Sequence, residues 1–133
     1  KTTLFKLLSA AQFKIFDVNL RSPFYTTDLV IGLMQKADFI KLNDDELAII
    51  SQTLSSNAAT IEEQILLIAE YTNTNNICVT RGKNGAILYI NNHFYEHSGY
   101  QVTVADTIGA GDSFLAALIV SCFCCFTRCC SFA

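Results

Sequence analysis

The stretch DFIKLNDDELAIISQTL, residues 38–54, passes from a short apolar run through an acidic step into an amphipathic segment. Residues 38–43 read as a short strand, and 44–54 return apolar side chains at helical spacing. Asp44, Asp45 and Glu46 suit the positive end of a helix dipole. Asn43 stands where an N-cap is needed, with Glu46 three residues on in the capping-box position. A strand running directly into a helix is the repeating unit of an α/β fold.

The same alternation continues on both sides. Residues 1–11 suggest an amphipathic helix, KIFDVNL (14–20) a strand, and 26–37 a helix capped by Thr26 or Thr27. Downstream, TIEEQILLIAEYT (60–72) reads as a helix with Thr60 as cap and Glu63 closing a capping box, and NICVT (76–80) as a strand. Asn84-Gly85 and Asn91-Asn92 are turn signals between short β-type runs, which predicts a hairpin or small meander. Residues 100–106 read as a last strand, and Gly109 to about Phe123 as a final helix.

This pattern predicts an α/β domain with a mostly parallel sheet, helices on both faces, and antiparallel strands added by the C-terminal half. In such sheets ligands bind outside the carboxyl ends of the strands, and the polar clusters fall there. Asp17, Asn19 and Arg21 close the first strand, Asn43 the second, Thr80 and Gly82 the third, and Asp106 the last. Asp17, Asn19 and Arg21 are spaced by two, so on a strand they share one face turned toward substrate or phosphate. Arg21 fits a surface ion pair equally well. His93 and His97 alternate in the meander and read as exposed strand residues.

Composition narrows the function classes. The chain has 133 residues, one domain's worth, with 51% apolar and 16% charged residues, which excludes a disordered segment. A net charge of −3 with scattered Lys and Arg gives no footprint for nucleic acid. The longest apolar run, FLAALIVSCFCCF (114–126), is 13 residues, too short to span a bilayer. A cytoplasmic protein handling a small ligand is the expectation.

The most distinctive stretch is DTIGAGDSF (106–114). Gly109, Ala110 and Gly111 leave successive backbone N–H groups unobstructed where a helix begins, so orphan donors and dipole both favour an anion. Asp112 lies in the first turn, placed to orient a hydroxyl attacking a bound phosphoryl group. The plainer reading is a tight strand-to-helix turn with a first-turn acid. The stretch lacks the Lys-Ser/Thr of a P-loop and the third glycine of a dinucleotide fingerprint.

DTIGAGDSF closely resembles the D-T-x-G-A-G-D-x-F signature of the ribokinase-like (PfkB) carbohydrate kinases. NDDE matches that family's N-x-x-E motif at Asn43 and Glu46, and TRGKNG its T-x-G-x-x-G motif at Thr80, Gly82 and Gly85. FDVNLR (16–21) is similar to the corresponding segment of fructokinase-like members, and the resemblance covers roughly residues 1–120. It implies that Asp112 is the catalytic base toward a sugar hydroxyl and that Gly109, Ala110 and Gly111 form the anion hole. It places Asn43 and Glu46 near the phosphates of ATP, Glu46 acting through hydrated Mg²⁺, and Thr80, Gly82 and Gly85 along the nucleotide. Asp106 and the Ile108 carbonyl match positions that hold a monovalent cation, K⁺, in many members. The implied activity is ATP-dependent phosphoryl transfer to a sugar hydroxyl by a full-length protein that forms a homodimer.

The family also carries a longer N-terminal region with most sugar contacts and a lid, and further helices after the signature. The expected organisation is therefore a partial nucleotide-binding domain over 1–121 and an atypical Cys-rich tail over 122–133, marking a truncation or a frame shift near residue 121. Cys122, Cys124, Cys125, Cys129 and Cys130 have no nearby His to complete a zinc site, and such close neighbours would form strained disulfides. Cys78 reads as a buried small hydrophobe. The alternatives are a non-catalytic remnant that at most binds nucleotide or a partner chain, and a kinase completed by a lid in trans.

Overall fold

A computed structural model describes residues 2–55, 57–99 and 109–129. The chain divides into two units, Lys1–Tyr100 and Gln101–Ala133, each described by itself. In the first, the order is α1 (Thr2–Ala10), β1 (Ile15–Asp17), α2 (Thr27–Met34), β2 (Phe39–Asn43), α3 (Asp44–Leu54), α4 (Ile61–Thr72), β3 (Asn76–Thr80), a 3-10 turn (Gly82–Asn84), β4 (Ala86–Ile90) and β5 (His93–His97). The second holds α5 (Ala110–Cys129). The last strand expected from sequence, with Asp106 and Ile108, lies outside the described residues.

Local chemistry sets most of the boundaries. Thr26 caps α2 by accepting from the Leu29 N–H. Asn43 and Thr60 cap α3 and α4 through complete capping boxes with Glu46 and Glu63. Asn91 and Asn92 both take positive φ, 50° and 65°, in the two-residue turn of the β4–β5 hairpin. That conformation matches the strand twist, and Asn adopts it at low cost.

The five strands lie in sequence order. β1, β2 and β3 are parallel, and β4 and β5 extend the sheet antiparallel. Ile40, Ile77 and Tyr89 form one cross-strand row, and Leu42, Val79 and Ile87 the next. These six are buried in a cluster with Val30 and Met34 of α2, Leu47 and Ile50 of α3, and Ile65, Ile68 and Ala69 of α4. Each fully buried aliphatic side chain contributes about 1.5–3 kcal/mol over its exposed state. Alternation alone suggests helices on both faces, but the described core gathers α2, α3 and α4 on one. Right-handed crossovers between strands laid down without a reversal of order all fall on the same side.

Three elements differ clearly in length from the sequence reading, α2 among them, which stops at Met34 with Gln35 as its C-cap rather than running to residue 37. β1 ends at Asp17 rather than residue 20, because Asn19 takes φ 43° and turns the chain out of the strand. α5 continues to Cys129 instead of stopping near Phe123. No Gly or Pro follows Gly111 before that point to interrupt it.

Candidate functional site

Asn43 and Thr80 end neighbouring parallel strands and are Cα partners, so their side chains stand together on one face at the carboxyl edge. Thr80 Oγ1 donates to the Leu42 carbonyl at 3.5 Å. Asn43 Oδ1 accepts from the Glu46 N–H at 2.8 Å, and Glu46 Oε2 accepts from the Asn43 N–H at 2.9 Å. The other carboxylate oxygen, Oε1, accepts from the Leu20 N–H at 2.7 Å. Glu46, 7% exposed, thus binds the chain beyond β1 to the β2–α3 junction. Sequence reasoning found the capping box, but the Leu20 bond depends on a contact 26 residues away.

The TRGKNG segment closes its own turn. The Arg81 N–H donates to the Gly85 carbonyl at 2.7 Å, Asn84 N–H to Arg81 O at 2.9 Å, and Gly85 N–H to Gly82 O at 3.2 Å. Its two glycines do different work. Gly82 has φ +53° and open space where a Cβ would stand, so ligand atoms can approach its backbone. At Gly85, φ +83°, a Cβ would collide with the backbone of His97, Ser98 and Gly99. Gly85 is therefore required by hairpin packing, whatever it adds to a ligand contact.

Asp17, Asn19 and Arg21 do not share a strand face. Asp17 pairs with Lys41, whose Nζ lies 3.0 and 2.9 Å from the two carboxylate oxygens. The side chains are 19% and 9% exposed, so this is a largely buried ion pair on the sheet face opposite the apolar cluster. Asn19 and Arg21 follow on the exposed loop. Sequence reasoning missed Lys41; its signal was a lone charge inside an apolar strand, directly beside Asp17 once parallel register is assumed.

In the second unit, Gly109 takes φ +77° and its carbonyl accepts the Ser113 N–H at 2.9 Å, the first bond of α5. Ala110, Gly111 and Asp112 form the exposed first turn, and a Cβ on Gly109 would meet nothing within 4 Å. Their N–H groups have no intrahelical acceptor, and the helix dipole adds to the pull on an anion. Among the described residues, no three His, Cys, Asp or Glu could hold a metal ion, and no helix is long and apolar enough to cross a membrane.

A parallel core extended by an antiparallel hairpin, with polar residues gathered at the strand carboxyl ends, defines a ribokinase-like α/β fold. The ribokinase from Thermotoga maritima shares that fold, with a TM-score of 0.72 at 22% identity over 90% of this chain and 38% of its own. A double mutant of the Vibrio cholerae O395 fructokinase, determined with fructose, ADP and potassium ion bound, superposes with a TM-score of 0.76 at 27% identity, over 89% of this chain and 39% of its own. The family pattern of the pfkB family carbohydrate kinases matches residues 1–123, and the chain belongs to that family. A probable fructokinase-2 from Arabidopsis thaliana is 32% identical over 109 residues, 78% of this chain and 32% of that protein. The Escherichia coli fructokinase is 26% identical over 123 residues, 89% of this chain and 38% of that protein. The chain thus spans about a third of the length of these curated relatives.

Proposed function

We propose that this chain supplies the nucleotide-side part of an ATP-dependent sugar kinase of fructokinase type, acting in the cytoplasm. The observation that carries the reading is the pairing of Asn43 with Thr80 at the carboxyl edge of the parallel strands, next to a turn whose Gly82 backbone is open to a ligand. The exposed first turn of α5 supports it independently, offering N–H donors from Ala110 and Gly111 beside the Asp112 carboxylate. In this reading the α5 donors stabilise charge on the transferring phosphoryl group, and Asp112 accepts the proton of the attacking sugar hydroxyl. Thr80 and Gly82 line the nucleotide. Gly85 shapes the turn that presents them.

The residues fit Mg²⁺ held mainly by ATP oxygens rather than by a protein cage. Glu46 already accepts two backbone N–H groups, and a carboxylate has about four lone-pair positions. The remaining acceptor capacity suits metal-bound water. When bound, the ion would neutralise phosphate charge. The proposal extends to K⁺ near Asp106 and Ile108, and to the full-length protein working as a homodimer.

FDVNLR and the fructokinase relatives favour fructose as acceptor. Titration calorimetry with ATP, set beside ADP release in the presence of a sugar panel, tests the reading. ATP binding with fructose-dependent ADP release is expected. Binding without turnover supports a non-catalytic remnant, and no binding removes the nucleotide site.

A further inference from the structure

Arg81 has no role in the reading above, yet its side chain is the most heavily engaged group in the 81–85 turn. It is 15% exposed, and Nη2 donates both to the Asn84 carbonyl at 2.9 Å and to Glu96 Oε1 at 2.6 Å. Glu96 sits on β5 and is 59% exposed. The guanidinium therefore ties the far side of the turn to the outer strand of the hairpin. The backbone of the same residue fixes the near side, through the bonds between Arg81 and Gly85 and between Asn84 and Arg81. Meanwhile Arg81 Nε is buried with no hydrogen-bond partner. Leaving a buried donor unmatched is costly, so a long alkyl chain ending in a single donor would hold the turn with less penalty, were holding the turn in any arrangement sufficient. Both bonds instead leave one nitrogen, Nη2, whose two N–H groups are fixed in the guanidinium plane, so a single rigid donor holds acceptors on the turn and on β5 in set directions.

We infer that Arg81 is a positioning residue for nucleotide binding: with Glu96 and the Asn84 carbonyl it fixes the Gly82–Asn84 turn against β5, so that the Gly82 backbone is presented to the ligand in one geometry. This rests on the nucleotide reading proposed above. Arg81 acts through the turn, and Glu96 acts through Arg81. The role is distinct from general stability, because Glu96 is mostly exposed and its removal deletes no core packing.

Two measurements on the full chain test it. The first is hydrogen exchange at the Asn84 and Gly85 amides, which the turn protects; the second is ATP affinity by titration calorimetry. Arg81→Met and Glu96→Gln are each expected to speed exchange at these two amides and weaken ATP about tenfold, the scale of one charge-assisted hydrogen bond. Exchange in β2 and β3 and the melting temperature should stay near parental values in Glu96→Gln. The double variant should lose no more affinity than Arg81→Met alone. Unchanged turn exchange in both single variants overturns the inference. So does a loss of affinity in Arg81→Met that Glu96→Gln does not share, which would make Arg81 a direct ligand contact. Should the parent chain fail to bind ATP, the nucleotide reading falls and presentation with it, while the exchange data still report whether Arg81 sets the turn. Should Arg81→Met fail to fold, Glu96→Gln alone decides.

Discussion

Gly85→Ala is the substitution whose cost the structure defines most directly. The new Cβ would lie 2.6 Å from the Ser98 carbonyl carbon and overlap the His97 carbonyl oxygen and the Gly99 nitrogen, all of them backbone atoms. Ordinary carbon contacts sit near about 3.5–4.0 Å, so the 98 segment must move by roughly an ångström or more. Gly85 also has φ +83° and ψ −135°, a conformation that costs about 1–3 kcal/mol for any other residue. Overpacking adds about 1–3 kcal/mol. The sum, about 2–6 kcal/mol, is a large part of the roughly 5–15 kcal/mol that holds a typical domain together. Gly82→Ala is the matched control: φ is also positive, at +53°, but the space is open, so only about 1–2 kcal/mol is expected. Urea unfolding followed by far-UV circular dichroism suits a chain without tryptophan. A Gly85→Ala midpoint indistinguishable from that of Gly82→Ala would refute the reasoning, since steric overlap is what separates them.

The buried pair offers a second test. Lys41→Met strands Asp17 and should destabilise by about 3 kcal/mol, whereas Lys41→Met with Asp17→Leu should recover most of the loss in the same urea assay. At Glu63, hydrogen bonds from the Thr60 and then the Ala59 N–H hold the carboxyl below its ordinary value of 4.5. Its contribution is therefore present above that value and lost as the pH falls through the lowered folded-state value; a Glu63→Gln melting-temperature profile that kept the parental acid dependence would contradict this. In the full-length protein, the general-base role proposed for Asp112 predicts that Asp112→Asn lowers sugar-dependent ADP release by about 10²–10⁴-fold with ATP affinity nearly unchanged. Collapse of ATP binding with turnover retained would remove Asp112 from that role.

What the sequence revealed tracks how local each determinant is. The bounds of α3 and β3 match their expected ranges because Asn43 and Glu46, three residues apart, fix the α3 start through backbone bonds, while β3 is a short apolar run flanked by turn residues. Alternation overshot β1 because nothing in KIFDVNL announces that Asn19 will turn left-handed and that the Leu20 N–H will seek Glu46. The same limit hid the Lys41–Asp17 and Arg81–Glu96 pairs, which join residues 24 and 15 positions apart and exist only once register is set. At Gly85 the dipeptide Asn-Gly marked a turn, but the tight approach of residues 97–99 arises only when β5 folds back onto β4. The family motifs of the candidate site were legible as spacing; which of their glycines are enforced by packing and which have open space beside them was not.

The hairpin at Asn91-Asn92 has a consequence for the order of folding events. Its strands close around two residues, and the Tyr89 and Phe94 rings meet at 4.8 Å, so the pair can form on a microsecond scale of about 1–10 μs. The parallel β1–β2 and β2–β3 contacts join residues 24 and 37 positions apart and must first close long loops, a cost paid before any reward. The C-terminal hairpin is thus expected to be native-like in the rate-limiting ensemble, while β1 docks late. Chevron analysis of Phe94→Leu should then slow folding, and Phe16→Leu on β1 should mainly speed unfolding; the reverse partition would place nucleation among the parallel strands.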